Sequence, residues 1–300
     1  MTRLADLAEL VRAPAALSVP GDVLSGAAAA GALGRRTPAL AGASVLLYWA
    51  GMAANDWADR RLDAVERPER PIPSGRVRPS VALGVASGLT AAGLAVATAA
   101  GGRRAAAVAL PLAATIWGYD LRAKNTAAGP AVMAACRGLD VLLGASGGRV
   151  VRALPAALTV AAHTWTVTAL SRREVTGADR RLPGLTLTGT ALIALTTPAR
   201  PTPPAPGRAA RPGSGRAARL GDLVPAVLAA GYAARYGRAQ ARVLADPSPA
   251  RVRAAVGAGI TGLPALQGAL TARAGARLLG LAVAGAAPLG RRLARLISPT

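Results

Sequence analysis

Long apolar segments follow one another along almost the whole chain, and this pattern limits the fold more than any other feature of the sequence. A membrane-spanning helix needs about 20 consecutive, mostly apolar residues. Ten segments approach this requirement: residues 16–34, 38–54, 80–101, 105–120, 127–147, 153–170, 183–198, 222–236, 254–272 and 276–290. Arginines interrupt the eighth segment and only two arginines separate the last two. We therefore expect an all-α, polytopic integral membrane bundle of about nine transmembrane helices, with ten as the alternative.

Other fold classes fit the sequence poorly. Alternation of polar and apolar residues with hairpin signals does not occur, which argues against a β-barrel. A soluble helical protein would need polar helix faces, and most of the apolar segments have none. We expect a single membrane domain over residues 1–300, in which residues 199–219, rich in Pro, Gly and Arg, form a flexible connector.

The charge distribution indicates a lipid bilayer as partner. The formal net charge is +22, but the arginines lie mostly between apolar segments, where they meet anionic headgroups. No aromatic residues interleave with them to stack on bases, so we expect no nucleic-acid partner. Loops 55–79, 120–126 and 171–182 follow the second, fourth and sixth predicted spans and so share one side. A modest excess of positive charge assigns that side to the cytoplasm of a multi-pass cell-membrane protein.

Acidic residues are concentrated in one polar segment. The chain has 14 acidic residues, and five of them lie close together: Asp56, Asp59, Asp63, Glu66 and Glu69. In a helix, the i, i+3, i+7 spacing of the three aspartates places them on one face. Mg²⁺ is usually held by one or two carboxylates together with substrate phosphates, so the segment suggests a metal–diphosphate site at a membrane surface. The alternative is ordinary pairing of these acids with nearby arginines at helical spacing.

Two further polar groups interrupt apolar surroundings. Lys124 is the chain's only lysine and follows Tyr119 after the fourth predicted span. Its compact ammonium suits a diphosphate, whereas the alternative is a lysine that extends to the membrane surface. Arg137 and Asp140 lie inside an apolar segment, where ionisable residues have either a function or a partner; the two could simply pair with each other at i, i+3.

Together these motifs resemble those of the UbiA superfamily of intramembrane prenyltransferases. The family pattern N-D-x-x-D-x-x-x-D is matched by Asn55 to Asp63, and R-P-x-R-P-x-x-x-G by Arg67 to Gly75. Residues 119–124 resemble its Y-x-x-x-x-K segment, and residues 137–140 its Arg-Gly-Leu-Asn stretch. The resemblance implies a helical bundle around a central cavity and transfer of a prenyl group from a prenyl diphosphate to a small, aromatic acceptor.

The resemblance also implies roles for individual residues. Catalysis would fall to Asp56, Asp59, Asp63 and Lys124. The residues implied for substrate binding are Asn55, Arg67, Arg70, Tyr119, Lys124 and Arg137. The cofactor implied is Mg²⁺, and its implied ligands are Asn55, Asp56, Asp59, Asp63 and, for a second ion, Glu174.

The chain departs from the family after the sixth predicted span. There the family carries D-x-x-x-D, whereas Ser171 and Val175 stand at the aspartate positions and Glu174 remains. The resulting Ser-Arg-x-Glu-Val sequence is similar to that of the EboC-like branch of the superfamily. Two other functions therefore stay open: a terpene cyclase of the same superfamily, and a non-catalytic carrier or transporter of a prenylated metabolite. We interpret His163, within the sixth span, as a core residue in preference to a general base.

Overall fold

The computed structural model describes residues 3–197 and 223–286, and every regular element in these ranges is helical. The helices are α1 Leu4–Leu10, α2 Val19–Ala30, α3 Thr37–Glu66, α4 Pro79–Gly118, α5 Gly129–Ala145, α6 Val150–Ser171, α7 Arg181–Thr196, α8 Val224–Ala245, α9 Pro249–Arg273 and α10 Arg277–Ala286. A 3₁₀ helix, Ala13–Ser18, precedes α2, and a π-helical turn, Tyr119–Ala123, follows α4. The all-α prediction is confirmed for the described residues.

In the described part of the chain, three helical segments are long and apolar enough to cross a membrane: Thr37–Glu66, Pro79–Ala123 and Val150–Ser171. The count of about nine spans stays a prediction, since several predicted spans correspond to shorter or less apolar helices such as α2. The connector at 199–219 lies outside the described residues.

Helix α4 contains a break that divides it into two antiparallel halves. Forty residues of straight helix would measure about 60 Å, twice the hydrocarbon thickness of a bilayer. At Gly102 the backbone leaves helical geometry, with φ 64° and ψ −154°, a conformation open to glycine. Trp117 Nε1 lies 3.0 Å from Thr90 Oγ1, a contact that a continuous helix would not permit. The sequence predicts a loop at 101–104, and in the structure the chain reverses direction there.

Glycines allow α2 and α5 to approach closely. A Cβ atom on Gly26 would lie 1.8 Å from the carbonyl oxygen of Val141, and one on Gly144 would lie 2.0 Å from the carbonyl oxygen of Val23. Small residues at such crossings let helix backbones pack directly, which replaces the hydrophobic driving force that lipid does not supply. This contact fixes α5, and with it Arg137, against α2.

We expect Gly144→Ala to lower the free energy of unfolding by about 1–3 kcal/mol, because the added methyl group overpacks the crossing. Gly88→Ala is the matched control, since a Cβ at Gly88 meets nothing within 4 Å. Thermal unfolding in detergent measures both. Equal unfolding midpoints for Gly144→Ala and the wild type would show that α2 and α5 are not in close contact.

Candidate active site

Three carboxylates of the acidic segment, those of Asp56, Asp59 and Asp63, lie on the C-terminal turns of α3, and each meets a cation from elsewhere in the chain. Arg70 links two of them: its Nη1 is 2.7 Å from Asp63 Oδ2 and 3.4 Å from Asp56 Oδ1. Arg12 Nη2 lies 2.7 Å from the same Asp56 oxygen. Asp56 and Asp63 are both buried. These pairings hold the loop after α3 and the N-terminal segment against the end of the bundle.

Lys124 joins the other two polar residues of the motif. Its Nζ donates to Asp59 Oδ1 at 2.6 Å and to Asn55 Oδ1 at 3.0 Å. The π-helical turn Tyr119–Ala123 immediately precedes it, and such turns are frequent at functional sites. The predicted proximity of Lys124 to the aspartates is therefore seen. Asp56 and Asp63 share Arg70 whereas Asp59 shares Lys124 with Asn55, so the aspartates occupy two neighbouring rows on α3.

The N-terminal segment that carries Arg12 is held by a second set of ion pairs. Arg76 Nη1 lies 2.9 Å from Asp6 Oδ1 and 2.6 Å from Glu9 Oε2. Hydrogen bonds from the Arg3 backbone N–H and from Arg76 hold the pKa of Asp6 below its ordinary value. Arg12 itself has φ 44°, a strained left-handed conformation for a residue with a side chain. This backbone conformation directs the chain so that the Arg12 guanidinium reaches Asp56.

A cavity of about 230 Å³ opens beside the carboxylates. Its lining residues are Arg12, Tyr48, Gly51, Met52, Asn55, Ile116, Tyr119, Asp120, Met133 and Cys136. Polar groups gather where Asn55 and Arg12 lie, and methionine and isoleucine side chains supply the apolar wall. The Tyr48 side chain is mostly buried, and its ring lies under the Arg137 guanidinium at the cavity wall. The cavity thus offers both a charged end and an apolar wall.

Several of these lining residues are not among those that the sequence predicts. Asp120 directly follows Tyr119 and could have been noticed as a rare acid at the end of an apolar segment. Tyr48 and Cys136 lie in apolar segments and carry no local signal. Arg12 is one arginine among 35, and only the fold brings it to Asp56.

Arg137 is buried in an ion pair with another helix. Its Nε is 2.7 Å from Asp22 Oδ2 on α2, and its guanidinium lies 5.4 Å from the centre of the Tyr48 ring. Gln267 Nε2 donates to the other Asp22 oxygen at 2.6 Å. Asp140 accepts a hydrogen bond from Ser44. The pairing of Arg137 with Asp140, left open by the sequence, is replaced by a pair between helices; diphosphate binding by Arg137 stays a prediction.

The altered second motif forms a turn after α6. Arg172 donates to the carbonyl oxygen of Thr126, beside Lys124, so the loops 55–79, 120–126 and 171–182 meet at one end of the bundle, as their parity predicted. Partial burial raises the pKa of Glu174, whose carbonyl oxygen accepts a hydrogen bond from Arg253 at 2.9 Å. Val175 is exposed. The cytoplasmic assignment of this end stays a prediction.

Two remaining candidates lie away from the carboxylates. Arg67 is exposed at the end of α3, where its backbone N–H donates to the Asp63 carbonyl oxygen at 2.9 Å. His163 is buried, with Nδ1 2.9 Å from the Tyr232 hydroxyl. The surroundings of His163 agree with its interpretation as a core residue.

The oxygen atoms of this cluster are of the type that binds Mg²⁺ together with a phosphate-bearing substrate. Among residues 3–197 and 223–286, no three His, Cys, Asp or Glu side chains converge as a metal-binding group. Mg²⁺, however, commonly takes only one or two protein carboxylates and completes its shell with water and phosphate oxygens. The oxygens of Asn55, Asp56 and Asp59 are of the type that could fill that role, and Mg²⁺ binding by these residues, by Asp63 and by Glu174 stays a prediction.

Comparison with known proteins points to one family. The model of the UbiA prenyltransferase family matches residues 21–189. Digeranylgeranylglyceryl phosphate synthase of Methanothrix thermoacetophila is 44% identical over 80 residues, 26% of this chain and 30% of that protein. The 33 kDa chain of bacteriochlorophyll synthase from Cereibacter sphaeroides is 46% identical over 54 residues, 18% of each chain. The chain therefore aligns with less than a third of the length of these relatives.

Solved structures agree with the whole fold. A digeranylgeranylglyceryl phosphate synthase structure superposes with a TM-score of 0.66 at 16% identity, covering 91% of this chain and 99% of that one. A UbiA homolog from Aeropyrum pernix K1 gives a TM-score of 0.57 at 18% identity, covering 82% and 96%. At these identities the comparison concerns the fold alone.

We expect Arg137→Gln to destabilise the protein by about 3–5 kcal/mol, because it leaves the buried Asp22 carboxyl group without its cationic partner. The double variant Asp22→Asn/Arg137→Gln removes both charges and should recover part of that loss. Unfolding midpoints in detergent provide the comparison. A double variant that loses as much as the sum of the two single variants would rule out an energetic link between Asp22 and Arg137.

Proposed function

The chain belongs to the UbiA prenyltransferase family, and we propose that it transfers a prenyl group from a prenyl diphosphate to a small acceptor at the membrane. The main support is the position of the polar cluster on α3. Asn55, Asp56 and Asp59 stand beside a cavity whose apolar wall suits an isoprenoid chain. A small aromatic acceptor follows from the family resemblance. The names of the relatives add a glyceryl phosphate lipid as a second acceptor class.

Charge balance explains how the cluster would accept a diphosphate. Three carboxylates, Asp56, Asp59 and Asp63, are matched by three cations, Arg12, Arg70 and Lys124. A metal–diphosphate pair can then enter by exchange of partners, with no large net charge left uncompensated. The carboxylates would hold the metal, and the guanidinium and ammonium groups would bind the phosphate oxygens.

Asn55, Asp56, Asp59 and Asp63 would hold Mg²⁺, and Glu174 would assist with a second ion. When bound, Mg²⁺ supplies positive charge that stabilises the departing diphosphate. Lys124 and Arg70 add hydrogen-bonded positive charge at the same place, where charge develops as the allylic C–O bond breaks. Arg67 and Arg137 complete the set that the family resemblance implies.

The remaining chemistry takes place in the cavity. The allylic carbocation left by the diphosphate is stabilised by aromatic faces, and Tyr48 and Tyr119 both line the cavity. The apolar wall excludes water that would otherwise capture the cation. The acceptor then forms the new bond and loses a proton. Asp120 is the carboxyl among the lining residues, and we assign it to take that proton.

The carrier alternative has one specific observation in its favour, namely the loss of both aspartates at Ser171 and Val175. The retained cluster at Asp56, Asp59 and Lys124 argues against it. A terpene cyclase would use the same cluster without an external acceptor. Release of pyrophosphate separates all three functions.

We expect detergent-purified protein to release pyrophosphate from geranyl, farnesyl or geranylgeranyl diphosphate only when both Mg²⁺ and an acceptor are present. Separate acceptor pools of aromatic compounds and of glyceryl phosphate lipids identify the acceptor class. Release without acceptor, with hydrolysis excluded by product analysis, would identify a cyclase. Absence of release with every donor and acceptor would favour the carrier.

We expect Asp56→Asn and Asp59→Asn each to lower kcat by about 100-fold or more, because each removes a carboxylate that would hold Mg²⁺, whose positive charge stabilises the leaving diphosphate. Glu66→Gln is the matched control: it removes one carboxylate from the same helix at an exposed position. Unchanged unfolding midpoints would show that the variants are folded. Undiminished turnover in both aspartate variants would refute the assignment of the cluster as the reactive site.

A further inference from the structure

A second, separate groove lies between α8 and α9. It has a volume of about 400 Å³. Its floor consists of small residues: Gly231, Ala234, Ala239, Ala254 and Ala258. Its polar lining consists of four arginines: Arg235, Arg238, Arg242 and Arg251. None of these residues belongs to the cavity beside Asp56.

The arginines converge because of their spacing. Arg235, Arg238 and Arg242 stand at i, i+3 and i+7 of α8, so they share one face over about 10 Å of helix. Arg251 joins them from the first turn of α9. Arg235 Nη2 donates to Thr261 Oγ1 at 3.0 Å. The groove thus combines four arginine side chains with small floor residues. These small residues leave room for a ligand between the guanidinium groups.

Among the described residues, Asp246 forms an ion pair with one arginine of this groove, its Oδ2 lying 3.4 Å from Arg251 Nε. Both side chains are about half exposed, at 51% and 57%, so the pair contributes little energy. Arg238 and Arg242 line the same groove, so this pair leaves its local charge positive. Like charges that share a helix face repel one another, and a bound anion would relieve that repulsion.

The groove extends from the middle of α8 to the α8–α9 turn, and its part at Arg242 and Arg251 lies at the same end of the bundle as the candidate active site. Ala178 donates its N–H to the Pro247 carbonyl oxygen at 3.0 Å, which places the α8–α9 turn against the loop after α6. That loop in turn reaches Thr126, beside Lys124, through Arg172. In a protein embedded in a bilayer, this end lies at the level of the lipid headgroups, where phosphates are abundant.

We propose that this groove binds the phosphate-bearing headgroup of an anionic membrane phospholipid. Guanidinium groups bind phosphate oxygens through paired, charge-assisted hydrogen bonds, and several arginines can share one phosphate. The alanine and glycine floor lets the headgroup reach the guanidinium groups while its acyl chains stay in the bilayer. Binding here does not depend on prenyl transfer, because the groove and the cavity share no residue.

The test uses the full-length protein in detergent and native mass spectrometry with short-chain phosphatidic acid, short-chain phosphatidylcholine and inorganic phosphate as probes. We expect phosphatidic acid to bind more tightly than either other probe. Arg238→Gln/Arg242→Gln should weaken that binding by about tenfold or more, as expected for lost charge-assisted hydrogen bonds. Arg103→Gln/Arg104→Gln, two exposed arginines beside the break in α4, removes the same charge at the other end of the bundle and should leave binding unchanged.

A second variant tests whether weaker binding by the double variant results only from a loss of folding. Ala254→Glu keeps all four arginines and places a carboxylate in the groove, and it should weaken phosphatidic acid binding to a similar extent. Equal binding by the wild type and both groove variants would overturn the proposal. So would equal losses in the groove and control double variants, or binding of inorganic phosphate or phosphatidylcholine as tight as that of phosphatidic acid.

Discussion

Pairing of charge is the constraint on which the rest of this bundle depends. Lipid offers no hydrogen-bond partners, so backbone groups are satisfied within helices and ionisable side chains must find partners inside the protein. Asp22 meets that requirement through Arg137 and Gln267, which come from two other helices. The ion pair therefore joins α2, α5 and α9, and it places the Arg137 guanidinium over the ring of Tyr48 at the cavity wall.

The same constraint shapes the end of the bundle where the carboxylates lie. Arg12, Arg70 and Lys124 come from three separate segments and close on the aspartates of α3. These contacts order the N-terminal segment, the loop after α3 and the loop after α4 around one point. The side chains in these ion pairs can exchange their partners for a charged ligand. The same residues therefore stabilise this end of the bundle and are available for binding.

The sequence predicts the local parts of this arrangement and misses the distant ones. The acidic motif, Lys124 and the chain reversal near Gly102 follow from spacing, rarity and segment length. The partner of Arg137 could not be predicted, because Asp22 is a lone acid in a separate apolar segment. The span count is equally hard to predict, since arginines on one face of α8 lower its average hydropathy while the opposite face packs through Tyr232 and Tyr236.

The altered second motif has a consequence for how a diphosphate would be neutralised. Ser171 and Val175 lack the negative charges that a second metal ion would require, and the remaining acids of that loop are Glu174 and Asp179. The same turn carries Arg172, whose guanidinium is held at the Thr126 carbonyl oxygen beside Lys124. A loop that exchanges aspartates for an anchored arginine can neutralise phosphate oxygens directly. For the proposed transfer, we therefore expect a second metal ion to contribute less to neutralising the diphosphate than the family pattern would suggest. The cationic side chains around Lys124 would contribute more.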